Sequence, residues 1–261
     1  MLVLLPPSEG KAGGSRGRPL AWESLSLPGL TEARARVLDE LVALCAGDPG
    51  KAREVLGLSE GQAPEVARNA ALREAPTAPA GAVYTGVLYD ALDLATLSPA
   101  AKRRAGKALL IFSGLWGALR IGDRIPAYRC SAGVRLPGLG ALAGHWRAPL
   151  AEVLPEVAGE GPVLDLRSSA YAALWRPAGA LAERTLTVRV LQERVVDGRP
   201  KRSVVSHFNK ATKGRLVRDL LAAGPLPRRA GQVAGALRDL GYRVECDAAA
   251  PNRLDVVVTE V

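Results

Sequence analysis

Histidine and cysteine are scarce in this chain, and each scarcity removes a class of function. The histidines are His145 and His207 alone, and the cysteines are Cys45, Cys130 and Cys246, in 261 residues. Such a set builds a metal site only if carboxylates do most of the ligation, so no metal and no cofactor is expected. An odd number of distant cysteines without a C-x-x-C pair is no disulfide framework, which fits a reducing, cytoplasmic setting. No stretch approaches the ~20 apolar residues of a membrane span. The opening Met1–Leu5 is too short, and lacks the basic flank, to be a signal peptide. Ser8-Glu9-Gly10-Lys11 lacks the spacing of a Walker phosphate loop, although Gly10 and Lys11 suit a phosphate. No carboxylate pair or Ser/His/Asp signature stands out, and His145 reads as a core or surface histidine.

Basic residues, by contrast, are in excess: the formal net charge is +9. Nearly all of it lies in one stretch. Residues 199–229 carry nine Lys and Arg (199, 201, 202, 210, 213, 215, 218, 228 and 229) against the single acid Asp219. A surplus of this kind favours polyanions. The apolar fraction is 48%, enough at this length for a sizeable core. Pro76–Ala80 reads as a linker, but no repeat or clear domain boundary divides the chain, so one domain over residues 1–261 is expected.

The hydropathy pattern alternates short apolar runs with helical spacing, so strands and helices are expected in alternation along the chain. Strands are expected at Met1–Leu5, Ala108–Phe112 and Pro162–Leu166. A hairpin is expected at Arg184–Val196 and Arg202–Ser206 around Asp197-Gly198, and a last pair at Tyr242–Cys246 and Leu254–Thr259. Ala82–Gly86 reads as strand or extended. Helices are expected from Thr31, over Pro49–Leu56, Ala63–Glu74 and Asp90–Leu97, from Ser98-Pro99, over Leu142–Val157, from Asn209 to about Ala222, and over Pro227–Leu240. Trp146 and Trp175 fall on apolar positions and read as core.

Four of the strands share a grammar. Met1–Leu5 runs into PPSEGK, Ala108–Phe112 into SGLWG, Pro162–Leu166 into RSSAY, and Arg202–Val205 into SHFNKATKGR. In open α/β sheets the carboxyl edge of the strands is where ligands sit. If these strands are neighbours running the same way, Ser8, Lys11, Ser113, Arg120, Tyr128, Arg129, Ser168, Tyr171, Asn209 and Lys210 converge there. Lys213 and Arg215 follow on the same helix, whose amino end suits an anion. Such a set favours phosphate or carboxylate through charge-assisted hydrogen bonds. Lys210, Lys11 and Asp165 are the candidate catalytic groups: a lysine desolvated by burial is a nucleophile or base, and Asp165 is either a base or a pin for Arg167. The plainer alternative is a set of ordinary turns, an N-capped helix and a solvated basic face. Pro137-Gly138-Leu139-Gly140, followed by Ala143, resembles the hairpin of a helix-hairpin-helix element, a short signal among common Gly-Pro turns.

Several ordered blocks resemble the YaaA family of peroxide stress proteins. They are Pro7, Ser8 and Lys11; VYTG at 83–86; SGLWGALR at 113–120; IPAYR at 125–129; the Trp146 helix; LDLRSSAY at 164–171; and SHFNK at 206–210 with Lys213-Gly214-Arg215. The resemblance implies a mixed α/β fold with a positively charged cleft and a cytoplasmic role in the hydrogen peroxide response that limits iron-driven oxidative DNA damage. It also implies binding to double-stranded DNA with a helix-hairpin-helix element. The residues themselves leave a second reading open: an enzyme acting on a small anionic metabolite, such as a nucleotide or nucleobase, in a Ser/Lys/Arg-lined pocket. Neither reading involves a membrane, and sequestration of metal by the chain itself has too few ligands behind it.

Overall fold

A computed structural model describes residues 1–14, 16–196, 199–204, 206–247 and 249–259, with the backbone alone at 195–196, 199–200 and 206–208. The expected class is observed: one main mixed sheet of eight strands flanked by helices. Its strands are β1 (Leu2–Leu5), β2 (Leu109–Ser113), β3 (Gly117–Arg120), β4 (Val163–Asp165), β5 (Thr185–Val196), β6 (Arg199–Ser203), β7 (Arg243–Asp247) and β8 (Ala250–Thr259). They lie in the order β7-β8-β5-β4-β1-β2-β3, with β6 paired to β5. The longer helices are α1 (Thr31–Ala46), α2 (Pro49–Leu56), α3 (Pro64–Ala70), α4 (Val87–Leu92), α5 (Pro99–Ala108), α6 (Leu142–Ala158), α7 (Ser206–Ala223) and α8 (Ala230–Asp239).

The centre of the sheet follows from its sequence. β1 and β2 are continuous apolar runs, buried at every position, as strands covered on both faces must be. β1 pairs in parallel with β2 on one side (Leu5 opposite Ile111) and β4 on the other (Leu4 opposite Asp165). β4, β5 and β8 continue the parallel run. Three of the four expected strand ends therefore meet at one carboxyl edge.

The fourth arrives differently. The Asp197-Gly198 turn lies outside the described residues, but the strands it joins are antiparallel, so β6 points the other way. β5 overshoots the edge: Thr187 is level with the end of β4, and Ser203 of β6 pairs with Gln192, five residues further on. At ~3.3 Å per residue that is about 17 Å beyond the edge. Helix α7 starts out there and returns across the carboxyl edge of β4, where Lys213 Nζ donates to the Leu166 carbonyl at 3.2 Å.

Other expectations are corrected. Ala82–Gly86, expected as strand or extended, forms no strand, though Tyr84 within it is extended. A single helical turn, Ala80–Val83, leads to an isolated bridge between Tyr84 and Lys11. Residues 137–143 form no helix-hairpin-helix. They turn between two-residue strands at Arg135–Leu136 and Gly140–Ala141, tied to α1 by the Gly138 amide on Glu40, with α6 following them in the chain and no helix directly before them. Trp146 and Trp175 are core as expected, and half-buried His145 supports the Ala33 carbonyl at 3.0 Å.

One close approach fixes α7. A Cβ on Gly214 would lie 2.2 Å from the Leu88 carbonyl oxygen of α4. Gly235 on α8 faces open space. Gly214→Ala is therefore expected to lower the unfolding free energy by about 1–3 kcal/mol despite the better helix propensity of alanine. Gly235→Ala should raise it by up to ~1 kcal/mol. Urea titrations of both variants check the pair, and a stabilised Gly214→Ala would contradict the packing.

Candidate functional site

Past the end of β1 the chain folds back on itself. Tyr89 Oη donates to the Pro6 carbonyl at 2.7 Å. Ser8 Oγ donates to the Gly10 carbonyl at 2.5 Å and accepts the Thr85 amide at 3.0 Å. Ser8 thus staples the turn. Lys11 then reaches back, its Nζ donating to the carbonyls of Ser8 at 2.8 Å and Glu9 at 3.4 Å. The same ammonium sits 4.4 Å from the ring centre of Tyr128 and 5.5 Å from that of Tyr84.

From the end of β2 comes a buried hydroxyl cluster. Ser113 Oγ accepts the Trp116 amide at 2.9 Å and lies 2.6 Å from Tyr128 Oη, which lies 2.9 Å from Tyr84 Oη. Burial pushes the tyrosine hydroxyls up, so they stay protonated. Gly114 is required here: a Cβ would lie 2.6 Å from the Cys130 carbonyl oxygen. Its absence lets residues 128–131 press against the strand end. Arg129 is thereby placed beside Lys11, with its backbone held at both ends by Asn69 at 2.7 and 2.9 Å. Its guanidinium donates to the Glu9 carbonyl at 3.1 Å and the Glu9 carboxylate at 2.8 Å. Lys11 and Arg129 so converge on a single carbonyl oxygen.

Their closeness and burial set the electrostatics. Desolvation first, then the Arg129 charge, pulls Lys11 down to about 8. Burial pushes the neighbouring Cys130 thiol up to about 12, although Lys11 opposes the shift. Tyr171, beside Arg129 and Cys130, is likewise pushed up to about 12 by burial.

Beyond β4, Asp165 gives both carboxylate oxygens to Arg167, at 2.9 and 2.6 Å, and one also accepts the Arg167 amide at 3.0 Å. The guanidinium lies 4.2 Å from the ring centre of Phe112 and donates to the Trp175 carbonyl at 3.0 Å. Asp165 is therefore placed as the pin for Arg167. On α7, burial lowers Lys213, with Asp165 opposing. Asn209 and Thr212 share its helix face (i, i+3, i+4). Asn209 Oδ1 and Thr212 Oγ1 are buried and have no hydrogen-bond partner among the described residues.

The fold thus gathers Ser8, Lys11, Ser113, Tyr128, Arg129 and Tyr171 around the ends of β1 and β2, with Ser168 exposed at the end of β4 and Lys213 reaching that end from α7. Asn209 is half-buried beside Lys213, while Lys210 and Arg215 point to solvent. Arg120 belongs to the opposite edge. It pairs with Leu110 near the start of β2 and donates to the Lys107 carbonyl at 2.6 Å, because β3 runs antiparallel and carries it away. Tyr84, Thr212 and the pinned Arg167 were not singled out as site residues in the sequence reading. Tyr84 shows only in its VYTG block, and nothing local marks Thr212. Among the described residues no cluster of His, Cys, Asp and Glu suits a metal ion, and no helix is long and apolar enough to cross a membrane.

Breaking the Asp165–Arg167 pair tests the frame of the site. Arg167 is fully buried and Asp165 nearly so. Arg167→Met should cost about 3–5 kcal/mol by leaving the carboxylate buried and unpaired, and Asp165→Leu added to it should recover much of that loss. Chemical denaturation of the two variants measures both, and a double variant as unstable as the single one would contradict the pairing.

Comparison with known proteins identifies the family. Residues 1–246 match the family model described as peroxide stress protein YaaA. A UPF0246 protein of Streptomyces coelicolor is 66% identical over the full length of both chains. A UPF0246 protein of Corynebacterium efficiens is 43% identical over 99% of this chain and all of its own, and one of Corynebacterium glutamicum is 41% identical over the same shares. Matched by that family model over residues 1–246 and by full-length relatives of this closeness, the chain belongs to the peroxide stress protein YaaA family.

Proposed function

We propose that this protein serves the peroxide response through its carboxyl-edge site, and that the site takes a small anionic metabolite. The observation that carries this is the meeting of Lys11 and Arg129 on the Glu9 carbonyl, at the edge where α/β sheets bind ligands. Two cations held together without a buried acid between them favour an incoming anion. The acid now on Arg129 is Glu9, whose side chain is 83% exposed. Such a surface pair is worth about 0–1 kcal/mol and yields readily. The unpartnered Asn209 Oδ1 and Thr212 Oγ1 add groups able to bind the polar part of a nucleotide or nucleobase.

A second reading, DNA binding that limits iron-driven damage, is supported by a different observation. Lys201, Lys210, Arg215, Arg228 and Arg229 are exposed. Three others in the basic segment are occupied. Arg202 pairs with Glu193 and Glu245 at 2.8 and 2.7 Å, Arg218 donates to the Asp93 carbonyl at 2.7 Å, and Lys213 is turned inward. That occupation is why the edge site is placed first.

Thermal-shift and calorimetric titration with nucleotides and organic acids separates the two. The first reading expects stabilisation by a small anion that Arg129→Gln abolishes and Lys210→Glu leaves intact. If instead only duplex DNA binds, with a log affinity–log salt slope that falls by about 2 in Lys210→Glu/Arg215→Glu, the second reading replaces it.

A further inference from the structure

Three groups in the edge cluster are possible nucleophiles, and the geometry selects among them. The Cys130 thiol is buried and held in its protonated, unreactive form. Lys213 donates to the Leu166 carbonyl near Asp165, whose charge favours the ammonium. Lys11 differs. Its Nζ contacts two backbone carbonyls and two aromatic faces, and no carboxylate lies within ion-pair distance among the described residues. Beside it, bound to the same Glu9 carbonyl oxygen, is a guanidinium whose acidic partner is displaceable.

From this arrangement we infer that Lys11 condenses with the carbonyl group of a small oxo-acid whose acid group is held by Arg129. The inference rests on the small-anion reading above and names its substrate class. An amine next to an anion-binding fork matches a molecule whose carbonyl carbon is next to its acid group, as in a 2-oxo acid. The planar guanidinium takes the carboxylate in two parallel hydrogen bonds, and the neighbouring carbonyl carbon then faces Nζ. The lowered proton affinity of Lys11 supplies neutral amine near pH 8, as for other amines desolvated beside a second cation.

The step is a condensation without redox change. The Nζ lone pair forms a C–N bond to the carbonyl carbon, and the carbonyl π pair moves to oxygen, which takes a proton. The resulting carbinolamine loses its C–O bond as the nitrogen pair forms C=N. Both hydrogens of the neutral amine leave with the oxygen as one water molecule.

Reductive trapping tests this on the full chain. Pyruvate or glyoxylate is added with borohydride at pH 8, and the adduct is located by peptide mass spectrometry. Lactate, which has the acid but no carbonyl, is the competitor and binding control. The expected result is one adduct, on Lys11, exceeding that on any surface lysine by on the order of tenfold or more. It should be suppressed by lactate and by Arg129→Gln, which leaves Lys11 in place, and be absent in Lys11→Arg. Adduct spread evenly over surface lysines would overturn the inference. Stabilisation by pyruvate and lactate through Arg129 with no adduct on Lys11 would overturn it while leaving the small-anion reading standing. No thermal response to either acid, together with no adduct, would remove both.

Discussion

Two like charges share one acceptor in this structure, and much else is arranged to allow it. Lys11 and Arg129 both donate to the Glu9 carbonyl. Both lie within hydrogen-bond reach of that one oxygen, at 3.4 and 3.1 Å, and their mutual repulsion is part of what lowers Lys11. The chain keeps them together because their backbones are fixed for other reasons. Lys11 is locked by the Ser8 staple and the bridge to Tyr84. Arg129 is locked by Asn69 and by the close approach that Gly114 permits. The repulsion is offset in part by the Tyr128 face and by backbone carbonyls, and in part through a weakened hold of Lys11 on its proton.

The sheet makes this possible by alignment. β4, β1 and β2 are adjacent and parallel, so the chain emerges three times at one edge. Each emergence brings a different tool: an amine after β1, a hydroxyl cluster and a guanidinium after β2, and an internally neutralised Asp165–Arg167 pair after β4. That last pair is buried and stacked on Phe112, which makes it a structural strut. Helix α7 closes the group from above with Lys213 and the unpartnered Asn209 Oδ1 and Thr212 Oγ1.

The sequence made much of this legible, for reasons that can be named. Continuous apolar runs announced β1 and β2, and the Ser98-Pro99 start of α5 is real, with Ser98 Oγ accepting the Ala101 amide at 3.2 Å. Strand direction was less accessible. A two-residue Asp-Gly connection forces antiparallel pairing, so β6 could not run with the others, yet the overshoot of β5 still brings α7 to the same edge. Arg120 looked like a neighbour of Ser113 because seven residues separate them. The tight turn at Leu115-Trp116 sends the chain back down the sheet and takes Arg120 to the far edge. The basic tally over 199–229 measured charge but not its partners. Arg202 is taken by Glu193, its partner across the hairpin, and by Glu245, an acid remote in sequence that only the fold brings near. The helical turn before Tyr84 was not announced locally, because the segment is held by partners far back in the chain, among them Ser8 and Lys11.

The sheet edge of this YaaA-family chain concentrates desolvated cations. Whether that edge is what the account takes it to be depends on the state of one amine. Selective nitrogen labelling of lysine, with the Lys11 Nζ resonance assigned by comparison with Lys11→Arg and followed against pH by NMR, reads it directly. The expected midpoint lies near 8 and rises toward the ordinary lysine value when Arg129 is replaced by Gln. A Lys11 that titrates near 10.5 in the intact protein, indifferent to Arg129, would contradict it.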